Sequence, residues 1–109
     1  MNDETVTVSE LKKHIQDFSD TRGWYKDQNA KDLVMALTVE AAELAEIFMW
    51  THSDKVDEIR QDPKEFEHLR EELADVFWYL CRICGHFEID LAKAVEDKTV
   101  KNGEKYPAL

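Results

Sequence analysis

The chain has 109 residues, a net charge of −10 and 43% apolar residues that include three Trp, five Phe and three Tyr. That length suits one domain over residues 1–109, and a fold of this size buries only about two-thirds of its unfolded surface, so self-association would help it. The acidic balance excludes an electropositive face for a nucleic-acid polymer, and an anionic ligand would need bridging cations.

The N-terminus, MNDETVTVSE, has neither a basic start nor an apolar run, so the sequence predicts no signal peptide and a cytoplasmic location. Thr7-Val-Ser-Glu10 has capping-box spacing and opens a first helix to about Thr21, with Leu11, Ile15 and Phe18 on one face. A loop, TRGWYKDQN, follows.

Asn29, with Asp32 three residues on, caps a second helix to about Thr51. From Leu33 to Trp50 only Thr38, Glu40, Glu43 and Glu46 are not hydrocarbon, aromatic or thioether. A membrane span is excluded, because each mid-bilayer acid costs about 2.5–3.5 kcal/mol. Both sides of this helix are apolar, with Leu33, Leu37, Leu44 and Phe48 on one and Met35, Ala42 and Met49 on the other, which predicts burial on both.

His52–Gln61 leaves room for a short extra turn. Asp62-Pro63-Lys-Glu65 supplies an N-cap, a proline at the first helical position and an early acid, opening a third helix from Pro63 to about Cys84, where Gly85 ends it. Asp90 caps a fourth helix from Leu91 to about Asn102, stopped by Gly103 and Pro107. No stretch alternates as a strand, so the chain reads as all-α, four helices in one subunit. Two helices apolar on both sides imply that another copy covers what one chain cannot.

The acids flank these apolar stripes. Glu40, Glu43 and Glu46 step at i, i+3, i+6 on the second helix, while Glu72 and Asp75 sit at i, i+3 on the third with Tyr79 one turn further. Such pairs often decorate a solvated face, but these helices have almost none to offer. Carboxylates gathered at an oily seam require protonation, a basic partner or a metal. Basic partners are scarce, since the second helix has no Lys or Arg after Lys31 and the third offers only Arg70 and Arg82 near its acids. Oxygen donors without His or Cys select a hard ion, so Mg²⁺ is expected, with Mn²⁺ as a substitute. Cys81-x-x-Cys84, mid-helix and without a second pair, reads as two buried inert thiols.

Glu40-x-x-Glu43 followed by Glu72-x-x-Asp75 resembles the metal motif of the MazG-like, all-α nucleoside triphosphate pyrophosphohydrolases. EAAELAEIFMW, REELADVFWYL and KTVKNGEKYP are similar to successive blocks of its single-domain, dCTP-pyrophosphatase-like branch. The resemblance runs from about Leu11 to the C-terminus. It implies a four-helix subunit that assembles into dimers or tetramers and cleaves (d)NTP to (d)NMP and pyrophosphate with Mg²⁺. By position it makes Glu40, Glu43, Glu72 and Asp75 the metal ligands, Lys98, Asn102 and Tyr106 phosphate contacts, and Phe18, Trp24, Trp50 and Tyr79 the base pocket. One departure concerns the base: the dCTP-cleaving branch carries a His where this chain has Ile15, with His14 adjacent.

Glu46 and Glu71 are candidates for the general base by position alone. Trp50 falls on the ridge of Glu40 and Glu43, and Tyr79 on that of Glu72 and Asp75, which would set a base beside the phosphates. Phe18 and Trp24 can equally be core, and the lysines around Lys98 a solvated helix end. No function attaches to His14, His52, His68 or His86, which share no ligand spacing. Two rival readings remain, a di-metal carboxylate oxidoreductase, for which the usual Glu-x-x-His is missing from the second helix, and an acidic helical interaction module without catalysis.

Overall fold

The computed structural model describes residues 1–24 and 26–109, so Tyr25 of the first loop lies outside the described residues. Four α-helices appear in chain order, α1 (Val8–Thr21), α2 (Ala30–Glu46), α3 (Pro63–His86) and α4 (Leu91–Lys105), with a 3-10 turn over Val56–Gln61. The described residues form no strand, as the sequence predicts.

The helices begin where their caps lie. The Glu10 N–H donates to Thr7 Oγ1 at 3.1 Å while the Thr7 N–H donates to Glu10 Oε1 at 3.2 Å, and Asn29 with Asp32 repeats the arrangement for α2. Asp62 accepts from the Glu65 N–H at 3.2 Å and Asp90 from the Lys93 N–H at 2.9 Å. Each such cap contributes about 1 kcal/mol by satisfying an otherwise orphaned amide.

The helix ends differ from expectation. α2 stops at Glu46 instead of near Thr51, and the chain tightens into i−3 bonds such as Phe48 N–H to Ala45 O at 3.1 Å and Thr51 N–H to Phe48 O at 3.0 Å. Its last turn has no basic residue, and Glu43 and Glu46 oppose the negative end of the helix dipole. α3 runs through Gly85 to His86, and α4 through Gly103 to Lys105. Neither glycine takes the left-handed conformation; after α3 that role falls to Glu88, with φ 55°, and the Ile89 N–H closes the end on Cys84 O at 2.9 Å. Lys12 Nζ then donates to Ile89 O at 2.8 Å, tying α1 to this corner.

α3 is the spine, with α2 packed along it and α1 on its C-terminal half. Ile15, Leu33, Cys81 and Cys84 are buried, joined by Ser19, whose hydroxyl donates to Ile15 O at 2.7 Å. Burial, reinforced by Cys84, pushes the Cys81 thiol up to about 11, so it stays protonated and unreactive as the mid-helix placement predicts. Burial of α2 on both sides is corrected within one chain: Leu33 is sealed, but Val34, Met35 and Val39 are exposed. α4 buries no residue and shares no extended packing with the other helices. Among the described residues no helix is long and apolar enough to cross a membrane.

Candidate metal centre and nucleotide site

α2 and α3 run antiparallel along one seam, which sets Glu40 and Glu43 opposite Glu72. Carboxylate oxygens of these three residues lie within 4.8 Å of one another. Glu72 is buried and Glu40 half-buried, and Oε2 of each is sealed from solvent with no hydrogen-bond donor among the described residues. Burial pushes the Glu40 carboxyl up to about 7, helped by hydrogen bonds with Glu72 and Glu43 that exist only while a proton is kept, and by the charges of Asp75 and Glu43. Asp75 is raised as well, by burial and by the charges of Glu43 and Glu71. The structure thus gathers Glu40, Glu43 and Glu72, with Asp75 close enough to feel them.

The donor set fits a divalent cation. Its atoms are hard oxygens, two of them buried without a partner, and burial first, then the neighbouring acids, disfavour the charged form of Glu40 that a cation would restore. His68, absent from the site expected of the sequence, belongs to the surroundings: Nε2 lies 3.5 Å from Glu72 Oε1 and Nδ1 3.9 Å from Glu65 Oε2. The i, i+4 spacing from His68 to Glu72 is the sequence signal for this contact.

The aromatic residues divide. Gly23 takes a left-handed φ of 65° and the Trp24 N–H reaches back to Ser19 O at 2.9 Å, folding Trp24 onto α1. Its ring meets Phe18 edge-on at 5.5 Å, and Phe18 meets Trp78 at the same distance. Arg22 lays its guanidinium 3.5 Å above the Phe18 ring. Trp78 therefore joins the pair expected at the base pocket, and Tyr79 is half-buried beside it on α3. Trp50 does not share the α2 ridge, because the helix has ended four residues earlier and the side chain is 91% exposed.

The remaining candidates are exposed. Glu71 adjoins Glu72, and its charge reaches Asp75, whereas Glu46 closes α2 one turn beyond Glu43. Lys98 and Asn102 line a shallow groove on α4, and the Tyr106 N–H donates to Asn102 O at 2.7 Å with its ring under Lys105 Nζ. The structure does not bring these three to the acids of α2 and α3 through any extended helix packing.

The chain is similar to known proteins over most of its length. The pattern of the MazG-like family matches residues 35–109. The chain is 33% identical to dCTP pyrophosphatase 1 of Rattus norvegicus over 101 residues, 93% of this chain and 59% of that protein. It is 32% identical to dCTP pyrophosphatase 1 of Homo sapiens over 102 residues, 94% of this chain and 60% of that one. It therefore spans only about 59% of the length of the curated relatives it matches. A pyrophosphatase from Archaeoglobus fulgidus superposes with a TM-score of 0.83 at 37% identity, covering 99% of each chain. With its acid seam on two antiparallel helices and these similarities over most of its length, the chain belongs to the MazG-like family.

Proposed function

We propose that the protein is a cytoplasmic, Mg²⁺-dependent nucleoside triphosphate pyrophosphohydrolase that converts (d)NTP to (d)NMP and pyrophosphate, with dCTP and modified nucleotides among the substrates to test. The observation that carries this reading is the cluster of Glu40, Glu43 and Glu72 oxygens within 4.8 Å, two of them buried without a donor. Glu40, Glu43, Glu72 and Asp75 would hold the ion, and Mn²⁺ is the expected substitute. When bound, the cation neutralises charge on phosphate oxygens and on the departing pyrophosphate.

The chain's own residues do the rest. Glu71, whose charge already reaches Asp75, accepts the proton of the attacking water, with Glu46 as the second candidate. Phe18, Trp24 and Tyr79 offer faces and edges on which a base stacks, and Trp50, exposed in one chain, completes the pocket across a partner copy. Lys98, Asn102 and Tyr106 contact phosphates from α4 in a homodimer or homotetramer. Supporting that assembly are Met35 and Val39 of α2, and Val95 and Val100 of α4, all more than half exposed in the single chain.

The test is pyrophosphate release from canonical and modified (d)NTPs with and without Mg²⁺. Cleavage that requires the metal is expected. If no triphosphate is cleaved and the folded protein ignores both Mg²⁺ and Mn²⁺, the enzymatic reading fails.

A further inference from the structure

A second polar feature lies on the same seam, away from the acids. Leu33 precedes Glu40 by seven residues on α2 and Arg82 follows Asp75 by seven on α3, so with antiparallel helices both reach the same level, about 10 Å from the acid cluster. A cavity of about 490 Å³ opens there, lined among others by Gln16, Trp24, Gln28, Leu33 and Arg82. That size is within the range of small-molecule sites. The interval is one that a sugar and an α-phosphate bridge.

The cavity's hydrogen-bonding groups are ordered. Asp20 Oδ1 accepts from Gln16 Nε2 at 2.7 Å, and Gln16 Oε1 accepts from Arg82 Nη1. Both ends of the Gln16 amide are engaged, which fixes its orientation and pins the guanidinium at the cavity edge. Arginine only donates. Gln28 also lines the cavity, and its Oε1 is buried with no donor among the described residues. Trp24, 44% exposed, supplies an apolar wall.

We infer that this cavity reads the base edge, and that Arg82, positioned by Gln16, together with Gln28 selects bases presenting a carbonyl beside a ring N–H over bases presenting an exocyclic amine. The inference rests on the triphosphate-cleaving reading above. Uracil, thymine and guanine carry a carbonyl for Arg82 to donate to and an adjacent N–H for Gln28 Oε1 to accept. Cytosine and adenine place an amino group against the guanidinium, donor against donor, and leave Gln28 Oε1 without its proton. The selected class therefore differs from the cytosine in the names of the mammalian relatives.

The test compares dUTP with dCTP, which differ at this edge alone. Hydrogen bonds to a charged group imply a kcat/KM ratio of about 10- to 100-fold in favour of dUTP, expressed in KM, with dTTP and dGTP siding with dUTP. Arg82→Met should bring the ratio towards one. Gln28→Met, a smaller disturbance to folding, should do the same in part. Gln16→Ala should lose selectivity, and Gln16→Glu, which still holds the guanidinium, should restore it. A wild-type ratio near one, or one that Arg82→Met and Gln28→Met both leave unchanged, overturns the inference. Binding of dUMP and dCMP, followed by tryptophan quenching, decides the matter without turnover: dUMP binding tighter supports it, and equal or absent binding of both overturns it. Loss of all cleavage with tighter dUMP binding would instead count against the proposed reaction.

Discussion

The α2–α3 seam and α4 are built from similar local signals and end in opposite states. Both α2 and α4 start at a side-chain cap, from Asn29 and Asp90. Yet α2 seals Leu33 and lays Glu40 against Glu72, whereas α4 buries nothing. The lesson is that capping and periodicity make a helix, while only a facing surface gives its residues unusual chemistry. Glu40 and Glu104 are both helical glutamates, but Glu104 stands exposed while burial at the seam pushes the Glu40 carboxyl up.

The largest effect should come from breaking the acid cluster. Glu43→Ala is expected to lower pyrophosphate release by at least about a hundredfold while far-ultraviolet circular dichroism keeps its helical signal. Persistent turnover would move the site elsewhere. Next comes packing: Leu33→Ala should cost about 2–5 kcal/mol in denaturant unfolding, because Leu33 is 2% exposed. Val95→Ala on α4 should stay within about 0.5 kcal/mol at concentrations too low for association. A large loss there would show that α4 is already buried in an assembly.

A third outcome follows from Glu40. Its folded carboxyl is raised from 4.5 to about 7, so between these values the folded state keeps a proton that the unfolded state releases. The stabilisation is complete below about 4.5 and is lost as pH rises through about 7. Metal-free protein should therefore melt at a falling Tm across that window, and Glu40→Gln should flatten the slope. At pH 7.5, Mg²⁺ should raise the Tm of the wild type by binding the native state. If the shift instead tracks ionic strength with no preference for divalent ions, an acidic interaction surface is the better description. The smallest effect is local: Asn29→Ala should cost about 1 kcal/mol, against no more than a few tenths for the exposed pair Lys93–Asp97.

Sequence disclosed the starts of these helices better than their ends. Thr7, Asn29, Asp62 and Asp90 act within three residues of themselves, so their function is written locally. Gly85 and Gly103 looked like terminators but remain helical, since glycine permits a left-handed turn without compelling it. The gathering of Glu40, Glu43 and Glu72 was readable because i, i+3 pairs on two oily helices have few alternatives to meeting. Nothing local announced the bond between Gln16 and Arg82, 66 residues apart, or the contact of Phe18 with Trp78. The ridge placement of Trp50 failed for a related reason: it assumed a helix that in fact ends at Glu46.

The corner after α3 carries a longer consequence. Glu88 turns left-handed, Ile89 closes on Cys84 and Lys12 grips the Ile89 carbonyl, so the bearing of the last helix is fixed by residues outside it. The outward surface of that helix is thereby released from any duty in folding its own subunit. Evolution can rewrite it to suit a new companion or cargo without endangering the scaffold.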